Sequence, residues 1–244
     1  MRARVAAGMV AAFVDCHTHM VPSGDDGVRS VAEGRALCRE ANERGTAILF
    51  ATPHVWPHLP FDREREDAVR QAYAELRPHA GVELRLGFEL TPTEELLAQD
   101  LRRYVLEGTN AVLMELPFLG SPDILVALGE RAAREDLCPV IAHPERTEAV
   151  VDDPSLAADL AGRGWLLQVN ATSLLGRHGP EIEELAWRLL VDGDAALVAS
   201  DGHRENRPPF LDAAFALAKD RIGDAALALF DGSALGVSVR PVVR

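Results

Sequence analysis

The sequence predicts an α/β protein in which seven parallel strands alternate with helices and close into a barrel. Seven apolar runs of strand length are separated by helical patterns, and the runs are apolar throughout, as is typical of parallel strands covered on both faces. Histidine, aspartate or glutamate follows six of the seven runs. In such folds the chemistry lies at the carboxyl ends of the strands. A barrel is favoured because only a closed sheet brings the first and seventh strands together.

The predicted strands are short and lead into polar residues. The first contains the apolar residues up to Val14 and continues into Asp15-Cys16-His17-Thr18-His19. The other six cover residues 46–52, 82–88, 111–114, 139–142, 165–169 and 195–200. They are followed by His54, Glu89, Glu115, His143, Asn170, and Asp201 with His203.

Helix start and stop signals separate these strands. Ser30-Val31-Ala32-Glu33 is a capping-box pattern and Gly45 is a terminator, which predicts a helix over 30–44. Further helices are predicted over 62–77, 93–106, 121–137, 154–163, 181–191, 208–222 and 224–230. The charged stretch 62–77 is expected to be a solvated surface helix. Because no linker or repeat interrupts the pattern, a single domain is predicted over 1–244, with its core over about 13–232.

The composition excludes some classes of protein. A formal charge of −13 argues against non-specific nucleic-acid binding, and no apolar run reaches the roughly 20 residues of a membrane span. The three cysteines are far apart and odd in number, which favours free thiols and a cytoplasmic location. Arg2 and Arg4 before an apolar run faintly resemble a signal peptide, but cleavage would remove the first strand; Met9 is an alternative start. The oligomeric state is left open.

The polar residues at the strand ends predict a metal site. His17 and His19 are two residues apart, so they point the same way on an extended strand. A set of His, Asp and Glu without Cys suits Mn²⁺, Fe²⁺, Zn²⁺ or Mg²⁺, and bridging carboxylates allow more than one ion. Arg146 follows His143 and Arg207 follows His203, and guanidinium groups match phosphate oxygens. This combination favours a phosphate ester as substrate.

Several residues near these motifs have simpler interpretations. Cys16 is expected to face away from the histidines and not to be a ligand. Asp25 is ranked below Asp26, because it fits a turn carboxylate before Gly27. Asn170 is expected to orient a neighbour through a hydrogen bond. Three other histidines are predicted to face solvent, namely His58, His79 and His178.

An ordered set of motifs resembles the PHP (polymerase and histidinol phosphatase) superfamily, and within it the CpsB/YwqE group of bacterial protein-tyrosine phosphatases. The resemblance covers about residues 13–232. The motifs are His17-Thr18-His19, Asp25-Asp26-Gly27, Thr52-Pro53-His54, Gly87-Phe88-Glu89, Leu113-Met114-Glu115, Ile141-Ala142-His143-Pro144-Glu145-Arg146, Ala199-Ser200-Asp201-Gly202-His203 and Arg207-Pro208-Pro209.

The resemblance implies a distorted seven-stranded, TIM-like (β/α)7 barrel that binds up to three divalent metal ions, with Mn²⁺ preferred and Fe, Zn or Mg as alternatives. It implies one ion on His17, His19, Glu89 and Asp201, a second on Glu89, Glu115 and His143, and a third on Asp26, His54 and His203. Arg146 and Arg207 match the arginines that bind the phosphate. Asp201 and His203 lie beside them in the catalytic motif. The segment 55–62, with Trp56 and His58, lacks the basic residues expected after His54. The identity of the leaving group is therefore left undetermined.

The implied function is metal-dependent phosphomonoester hydrolysis, in which a metal-bridging hydroxide attacks phosphorus in line. The implied substrate is phosphotyrosine in protein, with a bacterial tyrosine kinase of exopolysaccharide or capsule synthesis as partner. One alternative is a small-molecule phosphatase, for example of histidinol phosphate. Another is a non-catalytic metal-binding module that docks a phosphorylated partner.

Overall fold

Strands and helices alternate along the chain, as predicted. The computed structural model describes residues 12–59, 61–237 and 239, so the predictions about Arg2, Arg4 and Met9 lie outside the described residues. The strands are β1 (Phe13–Thr18), β2 (Thr46–Ala51), β3 (His54–Val55), β4 (Glu83–Leu86), β5 (Glu89–Leu90), β6 (Ala111–Glu115), β7 (Cys138–Ala142), β8 (Leu166–Asn170) and β9 (Ala195–Ala199).

The strands form two sheets, in which all pairings between named strands are parallel. One sheet has the order β1-β2-β4 and the other the order β3-β5-β6-β7-β8-β9. The α/β class and the parallel arrangement are therefore confirmed. The predicted count of seven is not confirmed, because the structure has nine strands: the short β3 and β5 follow the predicted strands 46–52 and 82–88 after breaks at Thr52-Pro53 and Gly87-Phe88. Since proline has no N–H to donate to a strand ladder, Pro53 is a natural point for one division.

The first and last strands are joined at their carboxyl ends. Asp201 N donates a hydrogen bond to His17 O at 3.0 Å, and His19 N donates to Gly202 O at 2.6 Å. The fully buried Asp15 adds a side-chain link, because its Oδ1 accepts a hydrogen bond from Ser200 N at 3.1 Å. These bonds place the residues after β1 and β9 side by side.

Helices cover the sheets, and most begin near the predicted positions. They are α1 (Val31–Glu43), α2 (Arg63–Leu76), α3 (Asp123–Arg134), α4 (Glu148–Asp152), α5 (Ser155–Gly162), α6 (Ala171–Leu174), α7 (Pro180–Asp192) and α8 (Asp212–Ile222). Ser30 caps α1 as predicted, accepting a hydrogen bond from Glu33 N, while Glu33 Oε2 accepts one from Arg29 N. Helix α8 begins at Asp212, later than predicted, and Pro209 disfavours the helical conformation for the residue before it, Pro208. Residues Gly223–Leu229 form a 3₁₀ helix.

The predicted helix over 93–106 is wrong. The structure has two short 3₁₀ turns there, Leu96–Ala98 and Leu101–Tyr104. Arg131 on α3 donates to the carbonyl oxygens of Leu96 and Gln99, so these oxygens are held by a distant side chain. The Asp100 side chain then caps the second turn. Tertiary contacts therefore override the local helical pattern.

Strand side chains alternate between two apolar clusters. The smaller one contains Val14 and Cys16 of β1 with alternate residues of β2, β6, β7 and β9. The larger one contains the intervening strand residues and the helix faces packed on them. Because both faces of the strands are covered, their sequences are apolar throughout. Within the described residues, no helix has the length and apolar character to cross a membrane.

Candidate metal centre

All nine residues predicted as metal ligands lie together at the carboxyl ends of the strands. Eight of them are buried, and only Asp26 has an exposed carboxylate, at 57%. Together they make up four overlapping groups of potential ligand atoms: His17, His19 and Asp201; His17, Glu89 and His143; His54, Glu89 and Glu115; and His19, Asp26, His54 and His203. The parallel topology accounts for this convergence, because the carboxyl ends of parallel strands meet at one edge.

The HxH pair lies at the centre of the first group. His17 Nε2 is 3.0 Å from Glu89 Oε2 and 3.5 Å from Asp201 Oδ1. His19 Nε2 is 3.3 Å and 3.6 Å from the same two oxygens. Four potential ligand atoms thus surround one point, and they belong to the four residues assigned by resemblance to one ion.

Glu89 also contacts histidines of the other three groups. Its Oε1 is 3.1 Å from His143 Nε2, and its Oε2 is 3.0 Å from His54 Nδ1. On the far side, Asp26 Oδ1 lies 3.1 Å from His203 Nε2 and 3.6 Å from His54 Nε2. Glu89 is therefore placed as a bridging carboxylate would be.

The donor atoms fit divalent cations better than a hydrogen-bonded network. Glu89 Oε2, His54 Nδ1 and His203 Nε2 are buried without a hydrogen-bond partner among the described residues, despite their close neighbours. His203 Nδ1 faces the carbonyl oxygen of Asp201 at 2.9 Å, which can only accept, so the unprotonated Nε2 of the neutral ring faces Asp26. Buried lone pairs that face each other are costly unless a cation lies between them. The residue types suit Mn²⁺, Fe²⁺, Zn²⁺ or Mg²⁺.

A hydrogen-bonded chain that starts on β8 orients two of these residues. His17 Nδ1 donates to Gln168 Oε1 at 2.8 Å, and Gln168 Nε2 donates to Asn170 Oδ1 at 2.8 Å. Asn170 Nδ2 then donates to Asp201 Oδ2 at 2.9 Å, which confirms the predicted orienting role of Asn170. Gln168 was not predicted. Its position two residues before Asn170, on the same face of the strand, is the sequence signal that would have indicated it.

The backbone is strained at two of the candidate ligands. Among the described residues, only Asp136, His143 and Asp201 combine a non-glycine side chain with a positive φ, at 60°, 35° and 51°. Such conformations cost free energy and persist where the surrounding structure enforces them. Two of the three lie at strand ends within the candidate centre.

Both predicted arginines contact the carboxylate of Asp201. Arg146 Nη1 lies 3.1 Å and Arg207 Nη1 lies 3.6 Å from Asp201 Oδ2. The guanidinium of Arg146 also lies over the ring of Phe118, which stacks on His143. The arginines therefore border the ligand groups and are partly exposed, as groups that contact a substrate must be.

Asp25 and Arg65 brace the loops around the site. Asp25 accepts hydrogen bonds from Gly27 N and His54 N, both at 3.0 Å, in agreement with its expected turn role. Arg65 of α2 donates to the carbonyl oxygens of Ser23, Leu59 and His54. The predicted solvated helix thus carries one half-buried arginine that fixes the site, which its charge pattern does not indicate.

A cavity of about 570 Å³ opens beside the ligand groups. Asp26, His203 and Arg207 form the wall shared with the candidate centre, and Arg177, His178 and Arg204 lie among its other lining residues. The prediction that His178 faces solvent is wrong, because its ring is partly buried and pairs with Thr172 Oγ1 at 2.9 Å. His58 and His79 are exposed as predicted, and Cys16 belongs to none of the ligand groups.

The pKa values of the ionisable groups in the centre are shifted in different directions. Burial would raise the pKa of the Glu89 and Asp201 carboxyls, but neighbouring histidines, His17 foremost, hold both pKa values well below their ordinary range. Burial, and then the charge of Glu89, raise the pKa of Glu115 to about 8. Burial, and then His19, lower the pKa of His203 to about 4. Burial would lower the pKa of His17 and of His19, but the carboxylates around them raise both. Because a metal coordinates the neutral imidazole, metal binding at this centre would release protons from these rings.

Gly202 is expected to tolerate no side chain. A Cβ atom there would lie 2.6 Å from Pro209 Cα and 2.8 Å from Pro209 N. Because backbone must move to make room, Gly202→Ala is expected to lower the free energy of unfolding by about 2–3 kcal/mol, measured by denaturant titration.

Gly162→Ala is the matched control for Gly202→Ala. Gly162 ends helix α5, and a Cβ atom added there would meet no other atom within 4 Å, so alanine is expected to leave stability unchanged or raise it. Equal stabilities for the two variants would contradict the close approach of Gly202 and Pro209.

Known proteins are similar to this chain in sequence and in fold. A profile of the family described as capsular polysaccharide synthesis, CpsB/CapC, matches residues 13–230. CapC of Staphylococcus aureus, named as a candidate tyrosine-protein phosphatase, is 30% identical over 207 residues, which are 82% of this chain and 80% of CapC. The tyrosine-protein phosphatase YwqE of Bacillus subtilis is 30% identical over 208 residues, 78% of this chain and 77% of YwqE.

A solved structure supports the same relationship. It comes from work on YwqE of Bacillus subtilis and CpsB of Streptococcus pneumoniae as metal-dependent tyrosine phosphatases. It matches with a TM-score of 0.79 and 25% identity, and covers 95% of this chain and 100% of the matched chain. The predicted resemblance is confirmed, and the relatives carry the names of tyrosine-protein phosphatases. The chain belongs to the CpsB/CapC family of capsular polysaccharide synthesis proteins.

Proposed function

We propose that this protein is a metal-dependent protein-tyrosine phosphatase. The observation that carries the proposal is the convergence of nine His, Asp and Glu side chains beside two arginines at one edge of the parallel strands. Family membership and the names of the relatives support the same activity. The proposed substrate is phosphotyrosine in a protein of capsule or exopolysaccharide synthesis, with a bacterial tyrosine kinase as partner.

The candidate centre has ligands for up to three divalent ions. His17, His19, Glu89 and Asp201 would hold one, Glu89, Glu115 and His143 a second, and Asp26, His54 and His203 a third, with Mn²⁺ as the first choice. Bound ions of this kind polarise phosphoryl oxygens and lower the pKa of bound water. Two atoms that are buried without a hydrogen-bond partner among the described residues, Glu89 Oε2 and His203 Nε2, support this assignment.

The residues of the chain supply orientation and charge. Gln168 fixes the His17 tautomer by accepting from Nδ1, so the Nε2 lone pair faces the site. Asn170 holds the Asp201 carboxylate from behind. Arg146 and Arg207 point at the same carboxylate edge, from which they can bind the oxygens of a phosphoryl group through paired N–H donors. Both arginines would stabilise charge that develops on these oxygens.

Substrate preference tests the proposal. A tyrosine leaving group has a pKa of about 10 and needs little protonation, whereas an alkoxide requires a general acid, which contributes roughly 10²-fold or more. We expect the purified protein with Mn²⁺ to hydrolyse a phosphotyrosine peptide and p-nitrophenyl phosphate at least about 10²-fold faster than histidinol phosphate. A preference for histidinol phosphate would support the small-molecule alternative instead.

Chelation separates catalysis from docking. If the ions take part in catalysis, activity is expected to disappear with a chelator and to return with Mn²⁺, while circular dichroism remains unchanged. Bound metal without turnover on any of the three esters would favour the non-catalytic docking module.

We also infer a single domain whose two sheets complete one distorted barrel of seven strand units. The backbone bonds between the ends of β1 and β9, and the direct continuation of β2 into β3 and of β4 into β5, support it. A cytoplasmic location is proposed from the three free cysteines.

A further inference from the structure

The cavity beside the candidate centre has a basic wall that the proposed chemistry does not use. Arg177 and Arg204 line it together with Asp26, His203 and Arg207, which it shares with the candidate centre. This concentration of arginine is unexpected in a chain with 25 basic and 38 acidic residues. A locally positive cavity in an acidic protein focuses its field on an anionic ligand.

Two turns hold these arginines in place. Arg204 and Arg207 form an isolated antiparallel bridge, and His203 N donates to Arg207 O at 2.7 Å. Arg204 Nε donates to Glu33 Oε1 at 2.9 Å, which fixes the guanidinium through one edge. On the other turn, Arg177 N donates to Thr172 O at 3.0 Å. Both turns therefore present arginine from ordered backbone.

Arg177 has no anionic partner of its own. It is exposed, and it forms no ion pair with a carboxylate anywhere in the described part of the chain. Arg207, by contrast, is 3.6 Å from Asp201, and Arg204 pairs with Glu33. The charge of Arg177 is therefore available for a ligand.

The pKa of the neighbouring His178 also reflects the positive charge around this cavity. The pKa of His178 is lowered to about 4, by burial first and then by the charges of Arg146 and Arg207. A neutral His178 leaves the arginines as the charged groups of this wall at neutral pH. The cavity is also larger than a phosphoryl group requires, so part of it is left for the substrate chain that carries the phosphate.

We propose that Arg177, assisted by Arg204, binds an acidic side chain of the substrate within about two residues of the phosphorylated one. The spacing follows from an extended peptide, whose alternate side chains lie about 7 Å apart on one face. This inference rests on the proposed phosphatase function and names the feature of the peptide that the enzyme selects. Arg177 is a specificity-determining residue in this assignment and takes no part in the chemistry.

A set of matched phosphotyrosine peptides tests the assignment. Three of the peptides carry Glu, Gln or Lys at the alternate positions on either side of the phosphotyrosine. A fourth peptide carries a second phosphotyrosine at these positions. For the Mn²⁺-loaded enzyme at low salt we expect kcat/KM to be about fivefold higher with Glu than with Gln, and lowest with Lys. Because the contact is partly exposed, 0.5 M salt is expected to reduce this preference.

The decisive variant is Arg177→Gln, with Arg188→Gln as its matched control. Arg188 is an exposed arginine of α7 outside the cavity, so its removal changes the net charge equally. We expect the Glu-over-Gln ratio to fall to about twofold or less in Arg177→Gln and to be kept in Arg188→Gln. A structural role would change both rates together and leave the ratio unchanged.

The outcomes separate the two proposals. Hydrolysis of every peptide at one rate, or an unchanged ratio in Arg177→Gln, would overturn the acidic subsite and leave the phosphatase function standing. A preference for the second phosphotyrosine without one for Glu would overturn the carboxylate assignment. Failure to hydrolyse any peptide or p-nitrophenyl phosphate would overturn the phosphatase function on which the subsite rests.

Discussion

Asp201→Asn is expected to lower kcat/KM for p-nitrophenyl phosphate by about 10³-fold while the protein stays folded. Asp201 Oδ1 lies within 3.6 Å of both His17 Nε2 and His19 Nε2, and its Oδ2 is contacted by Arg146. Asparagine keeps the shape and tolerates the left-handed backbone at this position, where φ is 51°. With its amide oxygen in the place of Oδ2, asparagine keeps the acceptor for Asn170 and Arg146, and the substitution removes the charge and the acceptor that faces the histidines. Metal content measured on the purified variant should fall with the activity.

Asp136→Asn is the control for the backbone conformation. Asp136 has a φ of 60° and is exposed in the turn between α3 and β7, away from the candidate ligands. The Asp136→Asn variant is expected to keep full activity and metal content. If Asp201→Asn retained activity near that of Asp136→Asn, the Asp201 carboxylate would not be a ligand.

The strand-end residues were predictable because their positions follow from topology. Parallel strands align their carboxyl ends, so polar residues such as His143 and Glu115, which follow apolar runs, meet without any knowledge of side-chain conformation. Asp26 was ranked above Asp25 because Asp25 fits a turn carboxylate before Gly27. The structure agrees, since Asp26 faces His203 while Asp25 holds the loop backbone.

The supporting residues were not predictable, because their roles depend on contacts between distant parts of the chain. Gln168 reaches His17 across 151 positions, and Arg65 reaches the His54 carbonyl from a helix that is otherwise solvated. The missing helix at 93–106 has the same cause, since Arg131 binds carbonyl oxygens that a helix would have used. His178 was misplaced because its burial depends on a turn that packs beside the cavity.

Glu89 contacts histidines of all four ligand groups, so its charge should matter more than that of any peripheral ligand. It lies within 3.3 Å of His17, His19, His54 and His143, and it is fully buried. No other carboxylate in the described residues has four such histidine contacts. A neutral amide here would leave an N–H₂ group facing imidazole nitrogens and, on the proposed assignment, would remove the carboxylate that two adjacent ions would share.

Glu89→Gln is therefore expected to lose at least about 10³-fold in kcat/KM and to bind less metal per chain than Asp201→Asn, since more than one ion would lose a ligand. Metal stoichiometry by mass spectrometry and activity on p-nitrophenyl phosphate would show both effects. Glu107→Gln serves as the control, because Glu107 also accepts hydrogen bonds, from Tyr73 and from Leu86 N, but lies outside the ligand groups. That variant should lose stability without losing metal. Loss of a single ion in Glu89→Gln, with the others retained at full occupancy, would show that Glu89 does not bridge.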